Sequence, residues 1–135
     1  MKAMVIDRVV SLLEDEAPLT LVELPDPEPQ AGEVRIRVSA CGVCHTELDE
    51  IEGRTAPPRL PVVPGHEIVG RVDRCGAGAN RFAEGARVGV GWIHHSSGAP
   101  EENLDPGFVA TGRDCNGGYA EFLTVPEDYA CPVPE

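Results

Sequence analysis

Two short stretches hold the residue types that can do chemistry: Cys41-Gly-Val-Cys44-His45-Thr46-Glu47-Leu48 and Gly65-His66-Glu67. Each sets a thiol or an imidazole near a carboxylate, the donor combination that a borderline-soft dication such as zinc selects. Cys44 and His66 stand 22 positions apart, too far for a knuckle that draws both ligands from one turn. The interval suits ligands brought together by tertiary structure, as in catalytic sites, where one coordination position stays open. Taken singly, Cys44 reads as a small buried hydrophobe and His66 as a satisfied loop histidine. Taken as a pair inside two motifs, they point to metal. Two protein ligands are one fewer than the usual catalytic three. Candidates for the third place are Glu67, Cys41, Cys75, Cys115, Cys131 and a residue of a neighbouring chain.

Positioning these groups requires short strands and sharp turns. Residues 33–40 alternate strictly, with Val34, Ile36, Val38 and Ala40 on one face and Arg35, Arg37 and Ser39 on the other, the period of a strand. Apolar runs at 2–10 and 19–24 predict two strands ahead of it, separated by the acidic turn Glu14-Asp15-Glu16. Pro25, Pro27 and Pro29 enforce an extended linker between the second and third. After Cys44, residues 46–51 read as a short helix ended by Gly53. A rigid loop with Pro57, Pro58, Pro61 and Pro64 then leads to His66. Strands are expected at 68–74, 87–92, 119–125 and 128–133, and residues 96–114 read as loop. With 15 glycines and 13 prolines, the pattern predicts a mainly β fold, a partly open β-barrel with short helices.

A length of 135 residues suits one domain. Lys and Arg number 11 against 23 Asp and Glu, a net charge of −12 that argues against nucleic acid or an anionic membrane as partner. No run approaches the roughly 18 apolar residues of a membrane span, and no signal pattern opens the chain, so a cytoplasmic location is expected. Five cysteines, an odd number, fit thiols and metal ligation better than a disulfide framework.

At these residues the chain resembles the zinc-dependent alcohol dehydrogenases of the medium-chain dehydrogenase/reductase family, in their GroES-like catalytic domain. The resemblance rests on Gly42-Val-Cys-His-Thr46, Pro64-Gly-His-Glu-Ile-Val-Gly70 and Asn116-Gly-Gly-Tyr-Ala-Glu-Phe122, and runs from Met1 to about Glu135. It implies a GroES-like partly open β-barrel holding one catalytic zinc. Cys44 and His66 match ligands, and Glu67 matches a residue close behind the metal that occasionally enters its shell. Glu47 stands where the family usually has Asp, orienting the ligand imidazole. Thr46 matches the hydroxyl that takes the alcohol proton toward the nicotinamide ribose. Asp49 replaces a histidine that often continues this relay, so the last step runs through a carboxylate or water. His45 matches a contact to the cofactor pyrophosphate in some members. Trp92 and Tyr119 match residues lining the substrate pocket, with core packing as the plain alternative for both. The implied partners are a small alcohol or aldehyde and NAD(P).

Three departures qualify the resemblance. Residues 94–105, His94-His-Ser-Ser-Gly-Ala-Pro-Glu-Glu-Asn-Leu-Asp105, occupy the place of the family's four-cysteine structural zinc lobe but hold no cysteine. No strand–Gly-x-Gly-x-x-Gly–helix unit appears, so a dinucleotide-binding domain would be a separate partner. The family's remaining ligand cysteine has no counterpart before Glu135. The expectation is therefore a trimmed or engineered catalytic zinc domain of an alcohol dehydrogenase, its zinc acting as Lewis acid on an alcohol or water. A natural fragment of a larger enzyme is one alternative. A stand-alone zinc scaffold with a hydrolytic role, Glu67 serving as base, or a purely structural role, is the other. The third ligand is expected to be Glu67 or solvent, then Cys115. Cys115 and Cys131 could instead pair, closing a loop of about 16 residues worth roughly 3 kcal/mol.

Overall fold

β-Branched runs separated by glycine and proline become nine short strands among the described residues. A computed structural model describes residues 1–134, apart from the Asn103 side chain; Glu135, the last residue of the expected domain, lies outside the described residues. β1 (Lys2–Ile6) pairs antiparallel with β2 (Leu19–Glu23). The main sheet is formed by β3 (Glu33–Cys41), β4 (Ile68–Cys75), β5 (Arg87–Val90), β8 (Phe122–Pro126) and β9 (Ala130–Pro132). Its order is β8-β3-β4-β5-β9, antiparallel throughout. The sheet curls into a half-barrel, the mainly β fold that the residue pattern predicts.

The alternation in β3 explains where the core sits. Val34 and Ile36 are fully buried and pack with Ile68, Val72, Val88, Val90, Leu123, Val125 and Ala130. The alternation does not hold to the end of the strand, because the β3–β4 register shifts between Val38 and Ala40 and leaves Ala40 exposed. Arg35, on the opposite face, is also covered, at 7 % exposure. Its guanidinium clasps the Asp73 carboxylate, with Nε at 2.7 Å and Nη2 at 2.6 Å, and lies 5.1 Å from the centre of the Phe122 ring. Both nitrogens meet the same oxygen, Oδ2, and an arginine paired and stacked in this way is a form in which a buried charge is tolerated.

Several expected boundaries move. The first strand stops at Ile6, and Val10 instead donates its N–H to the Ile51 carbonyl. The strand expected at 87–92 ends at Val90. The stretch 96–114 is not all loop: β6 (Ile93–His95) pairs with β7 (Val109–Ala110), and Glu102–Leu104 forms one turn of 3₁₀-helix. Tyr119 precedes β8 but is still anchored, its N–H bonded to Pro64 and its carbonyl accepting from Met4. Between β3 and β4, α1 (His45–Ile51) is the α-helix of the described residues, and Gly53 follows it at φ 81°. No helix among the described residues is long and apolar enough to cross a membrane.

One crossing sets the Asn116–Phe122 motif against the loop that carries His66. Gly117 donates its N–H to Val63 at 2.7 Å and Gly118 to Gly65 at 2.9 Å. A Cβ on Gly117 would lie 2.0 Å from the Gly65 carbonyl oxygen, so only glycine lets these backbones approach so closely.

Candidate metal centre

Cys44 is the last extended residue before α1, with φ −113° and ψ 162°, so its side chain stands at the junction of β3 and the helix. Its backbone N–H is bonded at 2.7 Å to Oε2 of Glu47, three residues on, as a capping carboxylate would be. The other oxygen of the same carboxylate lies 2.9 Å from Nδ1 of His66, and neither of those two atoms has any further partner. Glu47 thus ties the backbone of one candidate ligand to the ring of the other, at 2 % exposure. The longer side chain spans both contacts. With Nδ1 facing the carboxylate, Nε2 is the nitrogen left for a metal. The Trp92 ring closes the other side of His66, edge-on at 4.9 Å between centroids.

Ligand atoms of Cys44, His66 and Glu67 lie within 4.8 Å of one another, and theirs is the group of this kind among the described residues. Glu67 is exposed, and its carboxylate rests over Gly42, where a Cβ would sit 2.3 Å from Oε2. The Gly42 N–H also donates to the Glu67 carbonyl at 2.8 Å. Gly42 is therefore glycine because the candidate ligand needs its space. A thiol, an imidazole and a carboxylate converging over a buried carboxylate match the donor preferences of zinc.

Thr46 Oγ1 lies 3.5 Å from the Cys44 sulfur. Beyond it opens a cavity of about 420 Å³ lined by Thr46, Asp49, Thr55, Trp92 and Arg113. Asp49 is paired with Arg54 and stands 3.6 Å from Nδ1 of the exposed His45, one helical turn earlier. The relay residues expected from the sequence therefore share one wall, with Trp92 beside them.

Tyr119 does not. It packs against Ala3, Val5 and Val63, beneath Gly65, and its hydroxyl meets the Gly42 carbonyl at 3.5 Å. Burial pushes its phenol up to about 12. The ring is half-buried at the edge of this cluster, and it lines a second cavity with Val43, Glu47 and Leu48 instead of the one beside Thr46.

The spare cysteines also stand apart. Cys41 packs close to Gly65 and Gly118, and burial raises its thiol above the usual range. The Cys115 thiol is pushed up to about 11 by burial, leans on the Ala110 carbonyl, and faces a different cavity with His94 and Asn116. Cys75 is raised likewise and donates to Phe82, while Cys131 donates to Gly89. All five are free thiols, so the Cys115–Cys131 staple is not formed.

Two residues escaped the sequence reading. Glu50 is fully buried on α1 with neither oxygen partnered, and burial first, then Glu47, pushes its carboxyl up to about 8. Arg113 sits in the turn after β7 and enters the cavity. The chemistry of Glu50 depends on burial and that of Arg113 on where its turn folds, and no local spacing signals either.

A half-barrel presenting a thiol, an imidazole and a carboxylate at its rim defines a GroES-like catalytic domain. The profile of the alcohol dehydrogenase GroES-like domain matches residues 30–135, and the chain belongs to that family. An alcohol dehydrogenase of Geobacillus stearothermophilus is 36% identical over 142 residues, covering 100% of this chain and 40% of that protein. One from Rhizobium meliloti (strain 1021) is 37% identical over 124 residues, covering 87% and 36%. The crystal structure of an NAD-dependent alcohol dehydrogenase superposes with a TM-score of 0.86 at 32% identity, over 99% of this chain and 40% of that one. The chain spans about two fifths of the length of the relatives it matches.

Proposed function

We propose that residues 1–135 form the zinc-binding catalytic domain of an alcohol dehydrogenase, interconverting a small alcohol and its aldehyde or ketone together with a separate dinucleotide-binding domain. The convergence of Cys44, His66 and Glu67, with Glu47 behind the imidazole, carries this reading. These three residues would hold the ion, Glu67 taking the place that a further ligand or solvent could also fill. Zinc at such a site supplies Lewis acidity toward an alcohol hydroxyl or a water.

The chain's own residues do the rest. Glu47 holds His66 in one ring orientation and, through the Cys44 N–H, holds the start of α1 against it. Thr46 receives the substrate proton, since a hydroxyl accepts one proton while donating its own. Asp49, on the same wall, takes the proton onward directly or through water. Trp92 narrows the cavity beside His66 and favours slender substrates. Exposed His45, at the start of α1, is the contact this chain offers to the NAD(P) pyrophosphate. Its neighbour in structure is described as NAD-dependent. Five free thiols accord with a reducing, cytoplasmic setting.

Elemental analysis of the purified protein tests the site. About one zinc per chain is expected, mostly lost in Cys44→Ala and in His66→Ala. Full occupancy in Cys44→Ala, or two tightly held equivalents, would falsify the assignment. A thiol titration refines it: with Glu67 as third ligand, stripping zinc exposes one additional reactive thiol, not three.

A further inference from the structure

The cavity beside the metal cluster carries a charge that moving a proton and a hydride does not require. Arg113 lines it together with Thr46, Asp49, Thr55 and Trp92. The guanidinium is held at two points: Nε donates to the Thr55 carbonyl at 3.4 Å and Nη1 to Oδ1 of Asp114 at 3.2 Å. Asp114 is itself fixed, accepting the Ala110 N–H at 2.8 Å on its other oxygen. Neither arginine contact uses Nη2, and about a third of the side chain (34 %) stays exposed.

Of the neighbouring acids, Asp114 is the one ion-paired with this cation, at 3.2 Å through Nη1, which leaves Nη2 outside the pair. Asp49, on the same wall, is held by Arg54 and faces His45. Glu50, which also feels the guanidinium, keeps its proton near neutral pH because it is buried. Asp114 alone is a fixed counter-charge, and the chain as a whole carries −12. A braced guanidinium with donors to spare is suited to a carboxylate, which it can grip through two parallel hydrogen bonds.

We propose that Arg113 determines specificity by binding an anionic group at the end of the substrate remote from the reacting oxygen. The preferred substrate is then a hydroxy acid or its aldehyde or keto counterpart, not a plain alkanol. Thr46 and the metal cluster define the reacting end and Arg113 the other, and about 420 Å³ admits a slender chain of a few carbons between them. The inference rests on the dehydrogenase reading for the reacting end, but the arginine contact itself needs no metal.

The single tryptophan of the chain, Trp92, lies in the same wall and reports on occupancy. Its fluorescence is followed while zinc-loaded and chelator-treated protein are titrated with γ-hydroxybutyrate and with n-butanol, which match in length and differ in the anion. The hydroxy acid is expected to bind roughly tenfold or more tightly than butanol, the usual worth of a charge-assisted contact. That preference should persist without zinc, fall to about parity in Arg113→Gln, and return in part in Arg113→Lys. An arginine with a merely structural role would shift both ligands alike. Equal affinities in the unaltered protein, no response to either ligand, or a preference that survives Arg113→Gln each overturns the inference. The unaltered protein decides the matter even if the Gln variant unfolds. Failure to bind zinc, with the hydroxy-acid preference intact, counts instead against the dehydrogenase reading alone.

Discussion

The core of the main sheet buries Val34, Ile36, Val88 and Val125 completely, and every member of that cluster is apolar. The α1 wall buries Glu47 at 2 % and Glu50 at 0 % exposure beside Ile51. One region removes apolar surface from water and gains roughly 25 cal/mol per Å² in doing so. The other takes carboxyl groups out of water, which costs stability wherever a partner is missing. The two glutamates show how that cost is used. Glu47 has the Cys44 N–H and the His66 ring, whereas Glu50, one turn on, has no hydrogen-bond partner at either oxygen and is held as the neutral acid. The sheet supplies rigidity; the helix wall spends part of it to set charge behind the candidate ligands.

The sheet core is where a single substitution should do the most damage to that division. Ile36→Ala should cost about 2–5 kcal/mol of unfolding free energy in urea, the range for a fully buried aliphatic, while zinc per folded chain stays unchanged. Loss of metal along with stability would mean that the two regions are not separate.

Glu50→Leu acts in the opposite direction. Below pH 4.5 the acid is protonated in both folded and unfolded chains and contributes no pH dependence. Between 4.5 and about 8 the unfolded chain releases a proton that the folded chain retains, so stability falls as pH rises; above about 8 both are ionised and the loss levels off. Replacing the group should therefore raise stability at pH 8 by about 1–4 kcal/mol, as apolar replacement of buried charge often does, and flatten the curve across that window. Thermal unfolding at a series of pH values measures it, and an unchanged slope would show that Glu50 is solvated.

Glu47→Gln sharpens the contrast within the helix. It keeps the shape but removes the charge facing His66, so zinc affinity should drop about 10–100-fold in a chelator competition, with stoichiometry intact. A change of less than about twofold would assign Glu47 to capping alone.

Much of the architecture was legible in the residue pattern. The alternation of Val34 and Ile36 marked β3, Gly53 marked the end of α1, and the punctuation by glycine and proline marked a mainly β fold. Pairing of β6 with β7 was not legible, because a strand of two residues, Val109–Ala110, has no periodicity to read. The motif left Tyr119 open between pocket lining and core packing, and it took the crossing near Gly65 to set the ring, half-buried, apart from the Thr46 cavity.

Residue types and their local spacing determined which groups could bind a metal, since the donor chemistry of Cys44, His66 and Glu67 belongs to the side chains themselves. Tertiary structure alone decided which of them meet, and which neighbours alter their charge. Glu50 and Arg113 are ordinary surface residue types in one dimension. Only the folding of α1 and the β7 turn against the barrel strips the water from one and sets the other in the wall of the cavity. Desolvation and proximity are properties of packing, and they arise only once distant segments are in contact.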